Sequence, residues 1–355
     1  MRVLLVTNDY PPKAGGIQQY LGSLVEAFPE PIRVFAPADE GPAPGDVVRG
    51  TKAFMWPTPA VRRRLESEVR AWEPDVILFG APHPLAHLGP TLRRRTGIPY
   101  AVLCHGAEVT LPAAFPVTRS LVAWPLRRAD AVLAVSDYTT GRVERLTGGP
   151  VVAVGAGVDV DAFRPAPAPP DRPVVACVSR FVPRKGQRRV LRAVRRLRDE
   201  GRDVEALLVG RGRDESALRR LADRLDVPTR FEVGVPWDRL PGLYADASVF
   251  AMPCRSRWFG LEVEGFGLVF LEAAAAGLPV VAGDSGGAPE TVVPGATGFV
   301  AADDDALVDA LRLLLDDPGA AAEMGVAGRR RVESDFTWRA VAERVVGALR
   351  PVAGG

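Results

Sequence analysis

The feature that most constrains this chain is an alternation of two hydrophobic periods. Short apolar runs at residues 3–6, 76–79, 100–104, 131–135 and 151–154 have the length and composition of buried strands. The second half repeats the scheme at 174–178, 206–209, 230–233, 249–252 and 279–282. Helical spacing fills the intervals. Val61, Leu65, Val69 and Trp72 share a face over 61–72, and further helices are predicted near 187–199, 214–225, 268–276 and 303–316. Strands alternating with helices imply parallel sheets joined by right-handed crossovers. Residues 165–173 (PAPAPPDRP) hold five prolines and no apolar periodicity, so they are predicted to be a semi-rigid linker. The expected fold class is therefore α/β, with two doubly wound Rossmann-like domains facing across a cleft. The first spans 1–164 and the second 174–336. A terminal helix over 337–355, with Trp338, Val341, Val345 and Leu349 on one face, is expected to pack back toward the first domain.

The 355 residues are 47% hydrophobic, enough for two cores and unlike a disordered composition. A net charge of +2 gives no global reason to expect nucleic acid as a partner. Cys104, Cys177 and Cys254 lack ligand spacing and read as reduced core thiols of a cytoplasmic protein. The chain opens on a strand without a signal-peptide pattern. Its longest apolar tract, 265–282, is broken by Glu272 and Pro279 and is not a membrane span.

Doubly wound sheets bind ligands at the carboxyl ends of their strands, and the distinctive motifs fall there. In Ser179-Arg180-Phe181-Val182-Pro183-Arg184-Lys185-Gly186, Arg180 and Lys185 suit a diphosphate: Arg as a fork, Lys as a point charge. A solvated basic loop is the plain alternative. In Glu264-Gly265-Phe266-Gly267-Leu268-Val269-Phe270-Leu271-Glu272, a helix begins whose free N–H groups at Gly267, Leu268 and Val269 can hold an anion. Glu264 before the helix and Glu272 just past its first turn could each meet a hydroxylated ring. Glu272 lies in an apolar run, where an unpaired acid is costly. Gly15-Gly16 follows the first strand and opens a helix, yet it fails the G-x-G-x-x-G fingerprint of dinucleotide folds. His105 stands at a strand end before a glycine, whereas His83 and His87 lie in a Pro-bounded stretch and are expected at the surface. Gly210 follows another strand and could let a nucleotide approach. Asp159-Val160-Asp161 has the D-x-D form of metal-dependent transferases but adjoins the linker and reads as a turn, so no metal and no cofactor is expected.

Taken together, these motifs resemble the retaining GT-B glycosyltransferases of family 4. The resemblance rests on the E-x7-E pair, the Arg180…Lys185-Gly186 loop and the early Gly-Gly loop, and it covers essentially the whole chain. TNDYPPKAGGIQQYL, SRFVPRKGQ, AMPCRSR, VEGFGLVFLEA and GDSGGAPETV are most similar to family members that extend phosphatidylinositol monomannoside from GDP-mannose. The resemblance implies GDP-mannose as donor substrate and an α-1,6 linkage made with retention. It places Gly16, Arg180 and Lys185 at the diphosphate, Glu272 at the ribose, Glu264 at the mannose and His105 near the reacting centre. The sequence departs from the pattern at Trp258-Phe259, at Ala107 and in a short Pro/Gly-rich stretch over 36–54. Alternatives are a soluble glycan or secondary-metabolite acceptor, another nucleotide sugar, an epimerase, or a silent nucleotide-sugar binder. From Lys52 to Arg128 the chain carries eleven basic residues against five acids, a local +6. That makes an anionic membrane surface an expected partner, which agrees with the phosphoinositide glycolipid acceptor that the resemblance implies; the protein is expected to be cytoplasmic or peripheral on the inner leaflet.

Overall fold

The computed structural model describes residues 1–110, 113 and 115–354. They form two compact units, one of Met1–Gly157 with Trp338–Gly355 and one of Val158–Thr337.

Unit 1 holds a parallel sheet of β1 (Val3–Val6), β2 (Ile32–Ala36), β3 (Asp46–Arg49), β4 (Val76–Phe79), β5 (Tyr100–Cys104), β6 (Ala131–Ala134) and β7 (Val152–Ala153). Their spatial order is β3-β2-β1-β4-β5-β6-β7. Helices α1 (Gly16–Glu26), α2 (Pro59–Trp72), α3 (Gly89–Thr96), α4 (Ala107–Thr110), α5 (Pro116–Leu126) and α6 (Asp137–Thr147) connect them. β1, β4 and β5 are buried along their whole length, which is why they read as unbroken apolar runs rather than alternating ones. α2 starts where Thr58 accepts the Val61 N–H and Pro59 presets the first turn. Its Leu65 and Val69 are buried, so its arginines face outward: Arg62 pairs with Glu66, Arg64 donates to the Arg49 carbonyl, and Arg63 is exposed.

Unit 2 repeats the plan with β8 (Val174–Val178), β9 (Glu205–Gly210), β10 (Thr229–Val233), β11 (Val249–Met252), β12 (Val280–Gly283) and β13 (Gly298–Ala301), ordered β10-β9-β8-β11-β12-β13, all parallel. Its helices are α7 (Gln187–Asp199), α8 (Glu215–Leu225), α9 (Leu240–Ala245), α10 (Leu268–Ala275), α11 (Asp304–Asp316) and α12 (Pro318–Asp335). The last helix, α13 (Trp338–Ala353), belongs to unit 1. There the Trp338 ring meets Tyr20 edge-on at 5.1 Å, and Arg344 donates to the Val154 carbonyl at 2.8 Å.

The chain leaves unit 1 at Gly157, ahead of the proline-rich segment 165–173, which is irregular and lies inside unit 2. The reason is Phe163. Its fully buried ring packs against Tyr244 and Trp237 at 5.4 and 5.8 Å, and Arg329 holds its carbonyl at 2.8 Å, so 158–164 is part of the second core. Cys104, Cys177 and Cys254 are free and buried.

Candidate active site

In each unit the strand order reverses once, between β1 and β4 and between β8 and β11. Ligands of doubly wound sheets sit outside the carboxyl ends of the strands at such points. The β8 end leads straight into Ser179-Arg180, and the β11 end into Pro253-Cys254-Arg255. Arg180 is exposed, and its guanidinium has no partner among the described residues.

Lys185 ends a single 3-10 turn, Pro183–Lys185, and is buried with its Nζ 2.6 Å from Glu264 Oε2. A second cation shares that oxygen. Arg184 places Nη1 2.7 Å from Glu264 Oε2 and 3.3 Å from the Val263 carbonyl. Burial alone would push the Glu264 carboxyl up, but the charges and hydrogen bonds of Lys185 and Arg184 outweigh it and hold the group below the usual glutamate range. Glu264 is therefore an ionised carboxylate fixed between two cations. Its backbone is fixed as well: the carbonyl accepts the Gly287 N–H at 3.0 Å and its N–H donates to Ser285 Oγ at 3.3 Å. Gly286, at φ +59°, would carry a Cβ 1.9 Å from the Glu264 carbonyl oxygen, so only glycine fits there. The Gly286-Gly287 motif thus serves to seat Glu264.

Glu272 is buried on α10, where Tyr244 donates to its Oε2 at 2.6 Å. Burial, and then the Glu272 charge, drive the Tyr244 hydroxyl far above its ordinary value, so it stays a donor. Gly267 caps α10 in a left-handed conformation without a side-chain cap, which leaves the Leu268 and Val269 N–H groups with no partner among the described residues. Gly210, expected beside the nucleotide, has a nearer duty. A Cβ there would stand 2.0 Å from the Ser179 carbonyl, so the β9 loop presses on the strand end that presents Arg180.

In unit 1, Gly15 precedes α1 in extended backbone, and Gly16 begins the helix with nothing within 4 Å of where a Cβ would project. His105 follows β5, its Nε2 2.9 Å from the Gly80 carbonyl and its ring edge-on to Tyr20 at 5.0 Å. A carbonyl can only accept, so the proton sits on Nε2 and Nδ1 keeps its lone pair. Burial lowers the His105 pKa despite the opposing pull of Glu108, the Gly80 carbonyl and Asp9, so the ring is neutral at physiological pH. Glu108 accepts the N–H groups of His105 and Gly106.

Sequence reasoning singled out neither Arg184 nor Tyr244. The Asp159-Val160-Asp161 segment is a local turn, in which the Asp159 carboxylate accepts the N–H groups of Asp161 and Ala162 at 2.9 and 3.0 Å and Asp161 pairs with Arg164. His87 is only half-exposed and stacks on Trp124, rather than standing free at the surface.

The family described as Glycosyltransferase Family 4 matches residues 14–162, and that described as Glycosyl transferases group 1 matches residues 159–331. A GDP-mannose-dependent α-(1-6)-phosphatidylinositol monomannoside mannosyltransferase of Mycolicibacterium smegmatis is 42% identical over 98% of both chains. The chain belongs to glycosyltransferase family 4. A further family 4 relative, from Corynebacterium glutamicum, is named for the monoacylated form of the same acceptor and is 39% identical, again over 98% of both chains. Among solved structures, Anabaena HepE in complex with UDP superposes with a TM-score of 0.82 at 20% identity, over 99% of this chain and 100% of that one. The protein is thus a glycosyltransferase with the two-unit α/β fold of the GT-B class. Among the described residues no helix is long and apolar enough to cross a membrane.

Proposed function

We propose that this family 4 enzyme transfers mannose from GDP-mannose to phosphatidylinositol monomannoside, forming an α-1,6 linkage with retention at the sugar carbon and without a metal ion. The observation that carries the reading is the buried Arg184–Lys185–Glu264 cluster beside an unpaired Arg180, at the carboxyl end of β8. Full-length relatives named as GDP-mannose-dependent α-(1-6)-phosphatidylinositol monomannoside mannosyltransferases stand near 40% identity. Cleavage of the bond to the nucleoside diphosphate leaves an electron pair, and so a growing negative charge, on the β-phosphate oxygen. Cations preset at that oxygen lower the barrier because they need no reorganisation when the charge appears. Arg180 and Lys185 are assigned that task, with the unpaired N–H groups at the start of α10 as further donors to the phosphates. Glu264 is assigned to the mannose hydroxyls and Glu272 to the ribose. Gly15 and Gly16 open an uncapped helix suited to an anion, and neutral His105 offers hydrogen bonds to a sugar hydroxyl. We place the enzyme at the inner face of the membrane, where the glycolipid headgroup is found.

The pure chain is incubated with GDP-mannose alone, with phosphatidylinositol monomannoside, and with a water-soluble mannoside. GDP release that requires the glycolipid, with an α-1,6 dimannoside identified by NMR, is the expected result. Faster turnover of the soluble mannoside would replace the acceptor assignment. An epimerised sugar nucleotide formed without acceptor would overturn transfer altogether.

A further inference from the structure

The strand order of unit 2 gives a bound donor a direction. That order is β10-β9-β8-β11-β12-β13. Glu264, assigned to the mannose, is tied by its backbone to the loop after β12, at Ser285 and Gly287. The diphosphate cations follow β8. A sugar on the β12 side of the diphosphate leaves the nucleoside on the opposite side, over the ends of β9 and β10. Glu272, assigned to the ribose, agrees with that direction, because its partner Tyr244 belongs to α9, the helix that follows β10.

The loop after β9, Gly210-Arg211-Gly212-Arg213, is locked to the segment that presents Arg180. The Phe181 N–H donates to the Arg211 carbonyl at 2.9 Å, and the Asp214 N–H donates to the Phe181 carbonyl at 3.1 Å. Both glycines are required by that contact. A Cβ at 210 would stand 2.0 Å from the Ser179 carbonyl oxygen, and one at 212 would stand 2.4 Å from that of Phe181. Arg211 is thus exposed on a backbone fixed at both sides, and its guanidinium has no partner among the described residues. The neighbouring acid, Asp214, is paired with Arg188 at 3.6 Å. A preset fork with its N–H groups unspent therefore stands at the strand end that the base must cross. The base it suits is guanine. Guanine carries its O6 and N7 acceptors side by side, and two N–H groups of one arginine meet both; adenine sets an amino donor beside N7, and uracil and cytosine have no N7. We propose that Arg211 reads the base of the donor nucleotide, gripping O6 and N7 of guanine. The proposal rests on the donor assignment above and adds to it the side chain that selects the base.

The test is calorimetric titration of the full chain with GDP, IDP, ADP and UDP. Wild type should bind GDP and IDP, which share O6 and N7, about 30-fold more tightly than ADP and UDP, the discrimination of one bidentate base contact. Arg211→Ala should lose that preference by weakening GDP and IDP alone. Arg211→Lys should not restore it, because an ammonium is a point charge without the fork. Arg213→Ala, one residue past the two locked glycines, should keep it. Melting curves that match wild type establish that the variants are folded. Equal losses for all four nucleotides in Arg211→Ala, or full rescue by lysine, would make Arg211 a phosphate contact and overturn the proposal. A guanine preference that survives Arg211→Ala, or moves with Arg213→Ala, would overturn it too while leaving GDP-mannose as the donor. A wild type without any guanine preference would overturn both.

Discussion

Arg184 is the sharpest point at which to test the site. Glu264 Oε2 is held by Arg184 at 2.7 Å and Lys185 at 2.6 Å. If the diphosphate is to draw on Lys185, a second cation must keep the buried carboxylate compensated. Breaking a buried ion pair by removing one partner costs roughly 3–5 kcal/mol. With one of two cations remaining, about half of that applies in Arg184→Ala, or about 2 kcal/mol, roughly a 30-fold change in an equilibrium constant. Lys185 then becomes the only counter-charge of Glu264, so GDP must compete with the carboxylate for it. Calorimetric titration should show GDP affinity falling about 30-fold in Arg184→Ala, with partial recovery in Arg184→Lys. The double variant Arg184→Ala/Glu264→Gln should bind GDP nearly as well as wild type, because a neutral amide no longer competes, yet remain inactive. Stability gives a second check. The folded-state pKa of Glu264 is depressed, so its contribution is in place above the unfolded value of about 4.3 and is lost as pH falls through the folded one. Wild type and Arg184→Ala should therefore differ most in urea resistance at neutral pH and converge in acid. Undiminished GDP affinity in Arg184→Ala, or additive losses in the double variant, would refute the sharing of Lys185.

Arg180→Ala removes an exposed, unpaired cation, so turnover should fall about 10²–10³-fold while the melting temperature holds; equal loss of both would make Arg180 structural. Glu272→Ala should chiefly weaken GDP binding and Glu264→Ala chiefly lower turnover, and matched losses of GDP affinity in the two would end that division of roles. Activity should persist in excess EDTA. Its disappearance, with rescue by Mg²⁺ or Mn²⁺, would send attention back to Asp159 and Asp161.

The fold was legible where burial on both faces writes a continuous apolar run, as in β1, β4, β5 and β8. It was not legible at β3, an edge strand whose Asp46-Val-Val-Arg49 is half in water and carries no such run. The crossing between units was misplaced for a related reason. Prolines signal a stiff chain but not where a core ends, and it was the burial of Phe163 that moved residues 158–164 into unit 2. In the site, the cost of an acid inside an apolar run correctly demanded a partner for Glu272. Tyr244, which donates to it, lies on a separate short helix and could not be named from spacing. Arg184 was hidden by composition: with 45 Lys and Arg residues, only three of them Lys, one more Arg beside Lys185 carries little signal.

Unit 1 is interrupted, since α13 joins it from beyond the whole of unit 2. On the ribosome, the sheet of unit 1 is complete long before the helix that covers Tyr20 and takes up the Val154 carbonyl has been made. Unit 2, a single uninterrupted segment, can close while its predecessor still waits with an apolar stripe open. The order of synthesis is thus the reverse of the order of completion, and the interval in which unit 1 is vulnerable to aggregation or proteolysis lasts as long as unit 2 takes to be translated.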